Sequence, residues 1–250
     1  MGYEEKVARE VARFERKVYK SPSITGRTAR KWQKKINAKI PEKVHQTVAE
    51  SVRHMVQATL AGSAYLSVQA LIRHETLEKR EELLEQRKIR YKRTAAVEGA
   101  GTGAGGILLG MADFPLLLSI KMKFLFDAAK IYGYDTEDPR ERLFLLHIFQ
   151  LAFSKEEARI RAFDRIVYWE KEREALRGMH PHITSVDWKA FQLEYRDFID
   201  LPKTLQLIPG FGAIVGAWAN YHFLDLLAEN AKNAFRKRWL LEGRLNQAGT

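Results

Sequence analysis

Nine cations and no anion lie between Arg16 and Lys39: Arg16, Lys17, Lys20, Arg27, Arg30, Lys31, Lys34, Lys35 and Lys39. Such a run seeks anions. Trp32, inside RTARKWQKKINAK, is the kind of ring that anchors a chain between head groups and acyl chains. At ~1 kcal/mol per Lys or Arg beside an anionic leaflet, nine bases suffice for reversible docking. The phosphates of nucleic acid attract the same charges, but no helix-turn-helix pattern, RNP motif or zinc ligand set accompanies them. The expected partner is therefore an anionic membrane surface, met by Arg27, Arg30, Lys31, Trp32, Lys34, Lys35 and Lys39, with nucleic acid the less favoured alternative.

Other chemistry is sparse. There is no cysteine, which removes thiolate nucleophiles, disulfides and cysteine-ligated metals. Seven histidines are scattered, and no H-E-x-x-H or paired E-x-x-H turns them into ligands. The acids Asp135, Glu137 and Asp138 in YGYDTEDP lack an EF-hand register. No G-x-S-x-G occurs. No catalytic residue, metal or cofactor is expected.

Six glycines crowd residues 99–110. Gly101, Gly103 and Gly106 satisfy G-x-G-x-x-G, but the preceding YKRTAAVE is not a strand, so a dinucleotide site is not expected. A different spacing fits better. Gly99, Gly103, Gly106, Gly110 and Asp113 recur at intervals of four, three, four and three, which on a helix is one seam along which a second backbone can approach. Each interior glycine costs ~0.8–1 kcal/mol relative to alanine. Either a partner helix clamps this stretch, or its first half is loop. Gly212, Gly216 and Asn220 in LIPGFGAIVGAWANYHF read as a degenerate second copy. The expectation is that the two glycine-bearing helices pack at the centre, with Asp113 and Asn220 near the ends of the contact. Asp113 precedes Phe114-Pro115, so capping the next helix is its plainer role. Buried, it needs a partner such as Asn220, His222 or Lys121.

The elements that must position these residues are helices. Val7, Val11, Phe14 and Val18, spaced by four, three and four, mark an amphipathic helix over 4–20. Others are expected over 26–40, 41–62 and 63–93. A further helix opens at Pro115 and stops at Gly133. Asp138, Pro139 and Glu141 match a capping box, and Ser154 with Glu157 repeats it for a helix reaching Gly178. Ser185 caps another that Pro202 interrupts, and the last runs from Pro209-Gly210 towards Trp239. With no alternating strand, the fold class is all-α: a multi-helix bundle with a central pair of glycine-rich apolar helices, residues 1–40 a basic helical arm and 41–250 the helical domain. The net charge is +11, and the whole excess lies in residues 1–93, which hold 22 bases and 11 acids against 20 and 20 in the remainder.

A glycine-rich run leading to GMADFPLLLSIKMKFLFDAAKIYGYD, then DPRERLFLLHIF, then LIPGFGAIVGAWANYHFLDLLAENAKNAFRKRWL, resembles the EcsC family of bacterial proteins over roughly residues 40–240. The matching positions are Gly103, Gly106, Gly110, Asp113, Pro115, Tyr132, Gly133, Tyr134, Gly212, Gly216 and Asn220. A Gram-positive member of that family is encoded beside an ABC transporter linked to protein secretion, so the resemblance implies an accessory role at the membrane. It brings no catalytic residues. Together these readings expect a cytoplasmic, non-catalytic protein peripheral to the inner face of the cell membrane, with a membrane transporter as a candidate partner. The alternative is a lipid- or acyl-chain-binding domain, or an uncharacterised enzyme, with a pocket near Asp113 and Asn220.

Overall fold

The computed structural model describes residues 2–20, 42–62, 70–103, 114–154, 156–177 and 212–247. Among them the chain is all-α: α1 (Tyr3–Tyr19), α2 (Glu42–Ala61), α3 (Leu77–Gly103), α4 (Phe114–Ile131), α5 (Pro139–Phe153), α6 (Glu156–Val167), α7 (Trp169–Ala175), α8 (Gly212–Leu241) and a closing 3-10 turn, Arg244–Gln247. The helices expected over 26–40 and around Ser185 and Pro202 lie outside the described residues, as do Gly106, Gly110 and Asp113.

Helix α1 buries the four residues its spacing singles out, Val7, Val11, Phe14 and Val18. Phe14 meets Phe163 of α6 edge-on, ring centroids 5.9 Å apart. Glu4 and Glu5 in its first turn and Arg16 and Lys17 in its last oppose the helix dipole favourably. At the centre, α5 is buried from Glu141 to Phe153 on every side, the mark of a core helix. Helices α3 and α8 run antiparallel. Glu81 pairs with Arg236 at one level, and Lys92 pairs with Asp225 about three turns further along.

Two helix ends are written in glycine. Gly133 has φ +86°, and the amides of Gly133 and Tyr134 bond back to the carbonyls of Lys130 and Ala129 at 3.2 and 2.9 Å. This is a Schellman cap, which requires a left-handed residue. It turns Tyr132 and Tyr134 onto the ring of Phe235, with centroids 4.7 and 5.6 Å away. Gly62 (φ +76°) ends α2 where an added Cβ would meet Arg142 Nη1 at 2.6 Å.

Two expectations change and one open choice is decided. The helix read over 63–93 begins only at Leu77 and continues through Gly103. Residues 70–76 are not helical, because the amide of Ile72 bonds to the carbonyl of Lys130 at 3.0 Å and Thr76 accepts from Lys79 N at 3.3 Å. The first glycines of the run, Gly99, Gly101 and Gly103, are therefore helical rather than loop. Finally, the helix expected from Ser154 to Gly178 is divided at Tyr168 (φ −94°, ψ 17°). The break lets Trp169 turn inward, where it is 1% exposed, against Phe144 and His147.

Candidate functional site

The interior carries an unusual number of charges, and their partners decide what they can do. Arg236 and Arg238 lie two residues apart on α8, so they leave the helix on nearly opposite sides. Arg236 reaches towards α1 and α3. Its Nε and Nη2 donate to Oε1 and Oε2 of Glu81 at 2.5 Å each, and Nη1 donates to Glu10 at 2.6 Å. The Tyr3 hydroxyl donates to the same Glu81 at 2.7 Å. The hydrogen bond from Arg236 holds the Glu10 carboxyl below its usual range.

Arg238 turns towards α5 and α7. Nη1 and Nη2 donate to Glu141 at 2.6 and 2.9 Å, and Nε to Glu242 at 2.8 Å. Its guanidinium lies 3.8 Å from the Tyr134 ring centroid and 4.8 Å from that of Phe144, where cation–π attraction adds to the ion pairs. Glu141 is thus spent on Arg238 rather than on the reciprocal half of a capping box. Asp138 does cap α5, accepting from Arg140 N at 2.9 Å.

Two further guanidiniums tie down carbonyls. Arg80, 1% exposed, donates to the carbonyls of Glu75, Ile72 and Ile131. Burial, and then the neighbouring Arg244, pull its pKa down to about 10. Arg142 donates to the carbonyls of Thr136 and Glu137, both at 3.0 Å. Bidentate, desolvated pairs of this kind join elements far apart in sequence. Glu81, Glu141, Arg236 and Arg238 are thereby engaged with one another rather than with an open site. Among the described residues no cluster of three acids and histidines forms a metal site.

Lys121 breaks this pattern. On α4 it is buried, its Nζ bonds only to the carbonyl of Leu117 at 3.4 Å, and it stands 5.8 Å from the Phe223 ring centroid. No carboxylate pairs with it among the described residues, and burial alone lowers its pKa to about 8. On α5, His147 packs edge-on to Trp169 with Nε2 3.4 Å from Glu172. The Glu172 carboxyl stays below its usual value because His147 outweighs the burial that would raise it.

The residues expected to bind lipid, Arg27, Arg30, Lys31, Trp32, Lys34, Lys35 and Lys39, lie outside the described residues, as do Gly106, Gly110 and Asp113. Gly103 closes α3, while Gly212, Gly216 and Asn220 occupy the first turns of α8. His222, offered as a partner for Asp113, is exposed and has its Nδ1 3.9 Å from Asp225. The buried arginines and their acids were missed. The available signal was FRKRWL, three cations inside the otherwise apolar end of α8.

Comparison with known proteins places this arrangement. The model of the EcsC protein family matches residues 5–240, starting well before the motif-bearing segments. Protein EcsC of Bacillus subtilis (strain 168) is 47% identical over 220 residues, spanning 88% of this chain and 89% of that protein. The uncharacterized protein YdbA of the same strain is 29% identical over 196 residues, 78% of this chain and 71% of that one. No solved structure matches.

Proposed function

This chain belongs to the EcsC protein family, and from that premise we propose that it is a non-catalytic peripheral membrane protein, accessory to a membrane transport or secretion process. It docks on anionic lipid at the inner face of the cell membrane through its basic N-terminal arm. The observation that carries the reading is the charge distribution, with nine bases and no acid from Arg16 to Lys39. Among the described residues no helix is long and apolar enough to cross a membrane. The buried pairs Glu81–Arg236 and Glu141–Arg238 tie helices together, which favours a scaffold over a catalyst.

Co-sedimentation with phosphatidylglycerol vesicles tests it. Binding is expected at low salt and lost at high salt or on phosphatidylcholine. Replacing Arg27, Arg30, Lys31, Lys34, Lys35 and Lys39 with glutamine should weaken it by on the order of 10⁴-fold. Absence of binding at low salt, or an unchanged affinity in the glutamine variant, overturns the arm as the docking element.

A second reading, a domain that holds an acyl chain by its anionic head, is favoured by Lys121. A cation buried without a carboxylate is costly unless an anion joins it, and this one stands beside Phe223 on the wall between α4 and α8. Fluorescence of cis-parinaric acid should rise with the wild-type chain and fall about tenfold in affinity in Lys121→Met, while its methyl ester distinguishes the two poorly. Equal binding of the acid by both chains would remove this reading.

A further inference from the structure

Helix α3 divides its charge along its length. Residues 77–86 hold four acids and two bases, and residues 87–95 hold five bases and no acid. The helix dipole does not explain this, because it acts within the last turn and α3 continues to Gly103. Three of the five bases have partners: Arg87 stands 3.7 Å from Asp127, and Lys88 and Lys92 stand 3.7 and 2.5 Å from Asp225. Arg90 and Arg93 are exposed and form no ion pair among the described residues.

The neighbouring helices place more of the same at this level. Tyr91 packs edge-on against Phe124 and donates to Asp127 at 3.1 Å, which sets α4 beside α3 on one flank. Lys92 sits 3.4 Å from the Tyr221 ring centroid, which sets α8 on the other. The outer ridge of α3, with Ile89, Arg90 and Arg93, faces away from both. Lys123 of α4, next in sequence to the Phe124 that Tyr91 packs on, is exposed and without an ion pair among the described residues. Of the six large apolar side chains that the described residues expose, Ile89 and Tyr221 are here and Leu116 lies about two turns along α4 from Phe124, each 44% exposed.

We propose that this face, with the outer ridge of α3 at its centre and the exposed flanks of α4 and α8 beside it, is a second membrane-contact surface, with Arg90, Arg93 and Lys123 on anionic head groups and Ile89, Leu116 and Tyr221 at the acyl boundary. It rests on the membrane reading above and adds a part of the folded body to it. Unpaired bases interleaved with exposed aliphatic side chains match the chemistry of a bilayer interface, where charge meets head groups and apolar groups find the chain region. A phosphate backbone would engage the bases alone and leave Ile89 and Leu116 in water.

The test uses the full chain and phosphatidylglycerol vesicles. Arg90→Gln, Arg93→Gln and Lys123→Gln together should weaken binding about 100-fold without changing Tm, since none of the three is paired. The chain has no cysteine, so Ile89→Cys and Leu116→Cys each carry one environment-sensitive fluorophore, whose emission should shift blue on the vesicles. If the wild type and the arm variant behave as above while the triple variant keeps wild-type affinity, or neither label shifts, this face is overturned and the arm reading stands. If the triple variant loses binding to duplex DNA and keeps binding to vesicles, the face is a nucleic-acid surface and the proposal falls.

Discussion

Arg238→Met should destabilise the fold by about 3–5 kcal/mol, because it leaves Glu141 buried without its cation. Glu141 is 4% exposed and accepts both guanidinium nitrogens of Arg238. What remains nearby is Arg173, whose Nε is 3.6 Å away. The cost is therefore that of a stranded carboxylate rather than the net value of the pair, and a double variant separates the two. Glu141→Leu with Arg238→Met removes both charges from the same site and should recover most of the loss, since apolar replacements of a buried pair are often neutral or stabilising. The exposed pair of Lys79 and Glu82, 2.7 Å apart, is the control, with an effect below about 1 kcal/mol. Urea unfolding of the four chains measures all of this. A loss below about 1 kcal/mol for Arg238→Met would show that the cluster is solvated and does not clamp α5 to α8.

Lys121→Met should do the opposite and stabilise the protein by about 3 kcal/mol at pH 7. Burial lowers the Lys121 pKa from 10.5 to about 8. Between those two values the native chain binds fewer protons at this site than the unfolded chain, so stability rises with pH across that window. Below about pH 8 the full penalty of a charged amine in an apolar wall is present. The methionine variant, of similar length and no charge, should lack both the penalty and the pH dependence. Urea midpoints recorded from pH 7 to pH 10.5 check it. A wild-type profile that is flat in this window, or matches the methionine variant, would mean that the ammonium finds water or an anion.

The buried arginines show where reading from residues stops. Val7, Val11, Phe14 and Val18 announced α1 because their spacing repeats the helix period, and Gly133 announced the end of α4 because left-handed backbone selects glycine. Asp138 could be read as a cap because a cap is satisfied within two residues. Glu141 was misread for the same reason: three residues from a cap, its local partner was obvious, while Arg238 lies 97 residues away. The break at Tyr168 was equally hidden, since it serves Trp169 packing on Phe144 and has no glycine or proline to mark it.

By itself the sequence determined the all-α class, the helix periods and caps, the one-sided charge and the family to which the motifs point, all properties decided by neighbours within a few turns or by composition. Only the tertiary structure decided which cations are buried and what they face. It alone paired Glu81 with Arg236 and Glu141 with Arg238, left Lys121 without a carboxylate, and left Arg90, Arg93 and Lys123 exposed without ion pairs, all among the described residues. The physical reason is that the energy of a charge depends on its burial and on partners within a few ångströms, and both are set by how distant segments pack.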